Sequence, residues 1–220
     1  LAVLPGTSIS HANTFVYGIA TSANIPSEYK IVKNGAVIDP SGLKKYDVVT
    51  LDAANRQALV SDTRVSGRYS EGGPTVSYPQ EVKVYGNSFR ISDSAAAFFK
   101  DMKLKDYITL LFDADGNVAA AYPRSTVSAD MQGIVTAIDE GKATVTLTNG
   151  ITLRNMDIDK LDKPTALMGR LVSVSTNGDK AVLTRRTLSG KTSGEWSLSD
   201  GKLGSKPVSS RVNVYEEVLS

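Results

Sequence analysis

The stretch GIVTAIDEGKATVTLTNG, residues 133–150, decides the fold class of this chain of 220 residues. From Ala143 to Thr148 apolar and threonine side chains alternate strictly, which is the pattern of a β-strand with one face in a core and the other in water. Residues 133–138 predict a second strand, and residues 139–142 predict the hairpin turn between them. Asn149-Gly150 predicts a type I′ turn, because Asn and Gly tolerate the positive φ that this turn requires.

The same pattern of short strands separated by turns extends over the rest of the chain. Further turn signals stand at Asn34-Gly35, Asp115-Gly116-Asn117 and Asn177-Gly178, with predicted strands between them at intervals of about 8–12 residues. One hairpin is predicted from residues 107–112 to residues 118–122 across the turn at 113–117. This spacing is typical of an all-β sandwich or barrel.

One segment predicts a helix. Ser92-Asp93 supplies a capping signal, and an Ala/Phe-rich run follows it as far as Met102. Phe98 and Met102 are four residues apart and would share one helical face. We expect this short helix to close one end of a barrel.

Charge and composition exclude several classes of function. Lys plus Arg number 25 and Asp plus Glu number 23, and a net charge of +2 is too small to indicate a nucleic acid or an anionic membrane as partner. No apolar run approaches the roughly 18 residues of a membrane span. The chain has no Cys and one His, which removes thiolate nucleophiles, zinc-thiolate sites and most histidine-based catalysis. That residue, His11, is interpreted as a solvated or loop-packing side chain, and we expect no enzyme activity, no metal and no cofactor.

An internal repeat is the most informative pattern. A shift of 115 lays residues 18–21 on 133–136 and Asn34-Gly35 on Asn149-Gly150. A shift of 123 lays 48–51 on 171–174, 58–61 on 181–184 and 65–68 on 188–191, and a shift of 130 lays 82–85 on 212–215. The offset grows only in predicted loops, as it does between diverged copies.

The repeat predicts two tandem duplicated small β-barrel or sandwich domains, with one short helix in the first. The first copy spans residues 1–123 and the second spans residues 124–220, which has no counterpart of residues 92–122. The chain starts at Leu1 without Met or a signal-like segment, so we expect it to be a piece of a longer protein.

Three stretches carry a resemblance to a known family: LKKYDVVT (43–50), VSDTRVSG (60–67) and LKDYITLLFDADGNV (104–118). They resemble the β-rich repeat region of S-layer homology (SLH) domain-containing surface proteins of anaerobic Gram-positive gut bacteria. The resemblance covers roughly residues 30–215, while the S-layer homology repeat itself is not among them. It implies an extracellular place in the cell wall or S-layer. The partners it implies are cell envelope components or neighbouring domains of the same protein.

Aromatic side chains in polar stretches are the candidate ligand-binding residues. Trp196 lies in a polar loop, and Tyr69 and Tyr78 lie in the comparable stretch of the first copy. Such rings stack on sugar faces, which makes glycans a possible class of partner. The alternative is that the rings pack over the end of a small barrel, since tryptophan is commonly mostly buried.

Carboxylates offer two further sites, and neither is favoured. Asp113 begins a stretch with calcium-like spacing, but the twelfth position holds Arg124 where an EF-hand needs Glu, so a hairpin turn is the preferred interpretation. Paired carboxylates would suit a glycosidase. However, Asp52 and Asp62 align with Ser175 and Arg185 in the second copy, and Asp47 and Asp106 form no duplicated pair.

The sequence therefore predicts a non-enzymatic structural or adhesive spacer segment of a bacterial cell-surface protein. The alternative is a carbohydrate- or cell-wall-polymer-binding module.

Overall fold

The computed structural model describes residues 13–19, 24–160, 164–186, 194–197 and 200–208. The described strands form five sheets, so the all-β prediction is confirmed. The architecture is sandwich-like, with sheets packed face to face around shared apolar layers.

The N-terminal sheet has the strand order β1-β4-β5-β2-β3. Its strands are β1 (Thr14–Val16), β2 (Lys30–Lys33), β3 (Ala36–Val37), β4 (Val48–Asp52) and β5 (Gln57–Ser61). Strands β2 and β5 run parallel, and the other neighbours are antiparallel. The parallel pair needs a crossover, which residues 34–56 supply and which the hairpin pattern of the sequence did not predict.

Two three-stranded sheets follow. The central sheet has the order β11-β10-β6 and the small sheet has the order β7-β8-β9. Their strands are β6 (Arg64–Arg68), β7 (Glu71–Gly73), β8 (Glu81–Val84), β9 (Asn87–Arg90), β10 (Tyr107–Phe112) and β11 (Val118–Pro123). The hairpin predicted across residues 113–117 is the β10–β11 pair.

The C-terminal sheet has the order β14-β13-β12-β15-β16, and a ribbon of three short strands follows it. The sheet consists of β12 (Gln132–Asp139), β13 (Lys142–Leu147), β14 (Thr152–Asp157), β15 (Leu171–Asn177) and β16 (Lys180–Arg185). The ribbon consists of β17 (Trp196–Ser197), β18 (Lys202–Leu203) and β19 (Lys206–Pro207).

The alternating stretch behaves as predicted. Ala143, Val145 and Leu147 are buried, while the threonines between them are partly exposed. Glu140 and Gly141 both have positive φ (42° and 82°), as a two-residue type I′ turn requires. Asn149-Gly150 differs, because only Gly150 has positive φ (91°) and the Asn149 side chain instead accepts a hydrogen bond from the Ile151 amide at 3.2 Å.

Strand β10 is buried on both faces. Ile108, Leu110 and Phe112 belong to a large core cluster shared with the small and C-terminal sheets. Leu111 points to the opposite side, into a cluster with Val48 of the N-terminal sheet. A strand that is covered on both faces needs apolar side chains at successive positions. This explains why residues 107–112 are almost all apolar instead of alternating with polar residues.

The predicted helix is a 3-10 helix, Asp93–Phe99, and its packing differs from the prediction. The Ser92 hydroxyl makes no cap, because it donates a hydrogen bond to the Val118 carbonyl (3.2 Å). The tighter winding places Phe99 in the core and leaves Phe98 partly exposed against Tyr122. The segment packs on β11 rather than closing a barrel. Shorter 3-10 helices lie at Pro40–Gly42 and Pro164–Leu167.

The described residues form no closed barrel, so that part of the fold prediction is wrong. The C-terminal sheet curls until Ile158, just after β14, forms an isolated parallel bridge with Ala181 of β16. One bridge is not a strand ladder, and the sheet stays open between β14 and β16.

The structure does not support the internal repeat in detail. The aligned hairpins β4–β5 and β15–β16 are alike, but β5 pairs along its length with parallel β2, whereas β16 has only the bridge to Ile158. Gly18 lies in a turn, whereas its aligned counterpart Gly133 lies in β12. The counterparts at 188–191 and 212–215 lie outside the described residues.

The domain boundary between residues 123 and 124 stays a prediction. The largest core cluster contains residues from both sides of it, among them Val65 and Phe112 before it and Val135 and Val172 after it. Within the described ranges, no helix is long and apolar enough to cross a membrane.

Replacing Gly133 tests the sheet packing. A Cβ on Gly133 would lie 2.5 Å from the Thr146 carbonyl oxygen and 2.9 Å from the Leu147 Cα, and this backbone cannot move without breaking the β12–β13 register. We expect Gly133→Ala to lower the free energy of unfolding by about 3 kcal/mol, at the upper end for overpacked sites. Urea denaturation measures the change. Thr136→Ala, an exposed position in the same strand, is the control and should change stability by less than about 0.5 kcal/mol.

Candidate functional site

Tyr69, one of the three sequence-predicted ligand residues, is fully buried. Its ring packs on Phe99 with centroids 5.6 Å apart, and its hydroxyl donates to the Val76 carbonyl at 2.8 Å. Burial raises the pKa of Tyr69 to about 12. The ring is a core element in this conformation, and no face of it is available to stack on a sugar.

The other two predicted residues lie apart from Tyr69. Tyr78 is 54% exposed in the loop between β7 and β8. Trp196 lies in β17, and its side chain is outside the described part of the structure, as is the whole of His11. Of the predicted stacking residues, Tyr78 therefore has a demonstrably accessible ring.

The Asp113 loop is a hairpin turn, as the preferred interpretation held. The Asp113 Oδ1 accepts hydrogen bonds from the amides of Asp115 (3.0 Å) and Asn117 (2.9 Å), which is how Asp stabilises a turn through its own backbone. Arg124, the residue that breaks the EF-hand pattern, follows the end of β11. Among the described residues, no three His, Asp or Glu side chains are grouped so that they could hold a metal ion.

Three of the turn segments converge on one cavity, here called the turn groove. Asn34-Gly35, three residues of the turn at 113–117 (Asp113, Ala114 and Gly116) and Asn149-Gly150 line a volume of about 780 Å³. These turns belong to the N-terminal, central and C-terminal sheets, so the groove lies where the three sheets meet. Its size is within the range of about 300–1,000 Å³ for ligand-binding pockets.

The turn groove also has apolar walls. Phe89 and Phe112 pack edge to face with centroids 5.3 Å apart. Val32, Leu59 and Ile151 add aliphatic surface. The groove thus combines side-chain amides and carboxylates with aromatic and aliphatic groups.

A second cavity of about 320 Å³, here called the polar cleft, adjoins the groove. It is lined by Lys44, Asp47, Asp62, Arg64, Ser128, Ala129, Asp130 and Asn149. Asp62 and Asn149 line both cavities, so the two are neighbours across these side chains. The Asn149 amide is held in place by donating to the Arg64 carbonyl at 2.9 Å.

Lys33 ties the acidic groups of this region together. Its Nζ lies 2.7 Å from the Asp47 Oδ2 and 3.3 Å from the Asp62 Oδ2. The Asp47 side chain is 1% exposed, and its Oδ2 also accepts the Lys44 amide at 2.8 Å. An ion pair buried this deeply is costly to break, because either partner left alone is an uncompensated buried charge.

The parallel pairing of β2 and β5 produces this cluster. The carboxyl ends of parallel strands meet at one edge of a sheet, so Lys33 at the end of β2 and Asn34 after it come beside Ser61 at the end of β5 and Asp62 after it. The Asn34 amide donates to the Asp62 Oδ1 at 2.7 Å. Asp62 therefore receives one hydrogen bond and one charge contact from the end of a strand that is distant in sequence.

Tyr46 fixes the neighbouring Asp47. Its φ is +71°, a left-handed value that is uncommon for a bulky residue and costs about 1–3 kcal/mol. Backbone hydrogen bonds between residues 17 and 46–47 hold it there, and the Tyr46 carbonyl accepts the Arg64 Nη2 at 3.2 Å. One strained residue thus positions both Asp47 and Arg64.

Sequence reasoning named Asp47 and Asp62 but not the partners that join them. Asp52 and Asp106, considered alongside them, lie in separate local turns with Asn55 and Lys103. The missing signal was Lys33, whose role depends on the parallel β2–β5 pair. Asp47 and Asp62 thus share one ammonium group.

The pKa of Asp62 is lowered by its partners. Burial acts to raise it, but the Asn34 hydrogen bond, the charge and hydrogen bond of Lys33 and the charge of Arg64 together outweigh burial. A folded-state pKa below the unfolded value of about 3.9 contributes stability above that pH and loses it as the pH falls through the folded-state pKa.

Removing the Asn34 amide should raise the pKa of Asp62 towards its ordinary value. The measurement is the titration of the Asp62 carboxyl carbon by NMR between pH 2 and 6, in the wild type and in Asn34→Ala. We expect a wild-type midpoint below about 3.9 and an upward shift in the variant. Equal midpoints in the two proteins would contradict this assignment.

Comparison with known proteins adds no family: the chain matches no protein-family model and no curated protein at a significant level.

Proposed function

We propose that this chain is a non-enzymatic structural and adhesive segment of a bacterial cell-surface protein. The observation that carries the proposal is the continuous core through the central, small and C-terminal sheets. A segment that bears load between other domains has to resist unfolding as a unit, and a shared core provides that cooperativity.

Polar contacts between sheets support the same proposal. Asn87 and Arg154 form a reciprocal pair, in which the Asn87 amide donates to the Arg154 carbonyl (3.0 Å) and its oxygen accepts the Arg154 amide (2.8 Å). Arg68 and Asp179 form an ion pair at 3.0 Å, and the Tyr85 and Thr176 hydroxyls are hydrogen-bonded. These contacts connect residues that are 67 to 111 positions apart in the sequence. A pulling force on one sheet is therefore transmitted to the next sheet.

The location rests on the sequence resemblance to repeat regions of S-layer-associated surface proteins. The proposed partners are accordingly cell envelope components or neighbouring domains of the same protein.

Single-molecule pulling tests the mechanical role. We expect the part of the chain from β6 to β16 to unfold in one step, and Asn87→Ala to raise its unfolding rate about 5- to 30-fold, because the lost pair is worth about 1–2 kcal/mol. Asn55→Ala removes an amide that bonds only within the β4–β5 turn and is the matched control. Several separate low-force steps in the wild type would contradict the proposal.

Antibody labelling of intact source cells checks the location. Labelling of intact cells supports a surface position, and a signal that appears only after lysis overturns it.

A second candidate function is carbohydrate binding, and the turn groove is the observation that favours it. Carbohydrates present hydroxyls at their edges and C–H groups on their faces, and the groove offers Asn and Asp side chains beside the Phe89–Phe112 pair. Tyr78 does not line it, and Tyr69 is in the core.

A glycan array separates this candidate from a purely structural role. If the groove binds glycans, Asn149→Ala should weaken the signal at least tenfold, while Tyr78→Ala and Trp196→Ala should leave it unchanged. A signal lost in Trp196→Ala and kept in Asn149→Ala would assign binding to the originally predicted aromatic residues. Absence of any signal would leave the structural role alone.

A further inference from the structure

We propose that the polar cleft is a binding subsite for an uncharged sugar ring, in which a hydroxyl of the ring bridges Asp47 and Arg64. The inference rests on the second candidate function and specifies its ligand: a neutral oligosaccharide that enters the cleft with one ring and continues along the turn groove.

Two residues that line the cleft each carry a buried polar atom without a partner, and this carries the inference. The Oδ1 of Asp47 and the Nε of Arg64 are buried, and neither has a hydrogen-bond partner among the described residues. Such an atom costs about 1–3 kcal/mol, and more when the group is charged. More than nine in ten buried polar groups in native proteins are hydrogen-bonded, so two orphans lining one cleft indicate a polar occupant.

The chemistry of the two groups selects a hydroxyl. A carboxylate oxygen only accepts and a guanidinium N–H only donates. A hydroxyl donates to the first and accepts from the second at the same time. Ser128 and Asn149, which also line the cleft, both donate and accept, as further hydroxyls of a sugar ring require.

The balance of charge disfavours an ionic ligand. Lys44 and Arg64 face the cleft together with Asp47, Asp62 and Asp130. Lys33 behind them contacts two of the carboxylates and brings the cluster to neutrality. An anion would meet three carboxylates and a cation would meet three basic groups, so neither gains a net attraction, whereas an uncharged polyol bonds to both signs.

Continuity with the groove sets the orientation. Asp62 and Asn149 line both cavities, so a chain of sugars that leaves the cleft passes these two side chains. Beyond them the partly exposed Phe89 and Ile151 present apolar surface to the C–H faces of the next ring. The cleft at about 320 Å³ suits one ring, and the groove at about 780 Å³ suits more than one.

The test is a backbone-amide NMR titration of the whole chain with three neutral disaccharides: cellobiose, maltose and N,N′-diacetylchitobiose. Digalacturonic acid and the glucosamine dimer serve as the anionic and cationic probes. We expect at least one neutral disaccharide to shift the amides of residues 44, 62–64, 128–130 and 149, and to bind at least fivefold more tightly than either charged probe.

Single substitutions test whether a sugar hydroxyl bridges Asp47 and Arg64. Arg64→Lys keeps the charge and removes the guanidinium Nε, and it should weaken neutral-disaccharide binding about tenfold. Asp47→Asn should do the same. Asp101→Asn, an exposed carboxylate outside the cleft, is the control and should have no effect. Because Asp47→Asn also disturbs the ion pair with Lys33 and is prone to misfold, Arg64→Lys and the charge selectivity decide the matter by themselves.

The outcomes distinguish the sugar subsite in the polar cleft from carbohydrate binding in general. Shifts confined to the groove or to residues 194–197, or tighter binding of a charged probe, overturn the inference and leave carbohydrate binding standing. Unchanged affinity in Arg64→Lys also overturns the inference. No shift with any saccharide rejects carbohydrate binding itself, and water alone then fills the cleft.

Discussion

Burial of β10 on both faces is the constraint on which the structure depends. Leu110 and Phe112 need apolar cover on one side, and Leu111 needs it on the other, so two layers have to pack on the central sheet at once. Thr109 lies on the same strand with no exposed surface, and it is accommodated because its hydroxyl bonds to the Ser66 hydroxyl and to the Val127 carbonyl. The hydrogen bond between Thr109 and Ser66 joins β10 to β6. The hydrogen bond to Val127 holds the segment that leads from β11 into the C-terminal sheet.

The sequence predicted what is local. The strand from Ala143 follows from the two-residue period of its side chains, and the turn at Glu140-Gly141 follows from the positive φ that its residues tolerate. The structure confirms both. It did not predict which strands pair across long intervals. The parallel contact of β2 with β5 leaves no mark on the pattern of either strand, because both have the composition of ordinary hairpin strands. The internal repeat stays a prediction for the same reason, since similar hairpins such as β4–β5 and β15–β16 are compatible with different neighbours.

The polar cleft has the weakest signal in the sequence, and its composition explains why. Aromatic residues in polar stretches predict stacking surfaces, but Tyr69 lies in the core, where it packs on Phe99. The polar cleft is made instead of Asp, Lys, Arg and Asn, which occur on every solvated surface and give no signal until the fold brings them together. Asn149 shows this clearly. The sequence predicts that it forms a turn, and its side-chain amide also donates a hydrogen bond to the Arg64 carbonyl on another sheet.

The cleft and the packing of the sheets have a common cause. Three sheets that meet around a doubly covered strand cannot fill the junction with apolar side chains, because strand ends and turns bring backbone polar groups there. The Lys33–Asp47 pair and the left-handed Tyr46 are costly features at that junction, and a purely structural junction would be cheaper with hydrophobic residues of the same volume. Strain and buried charge concentrated beside orphaned polar atoms are consistent with the proposed recognition of a polar ligand.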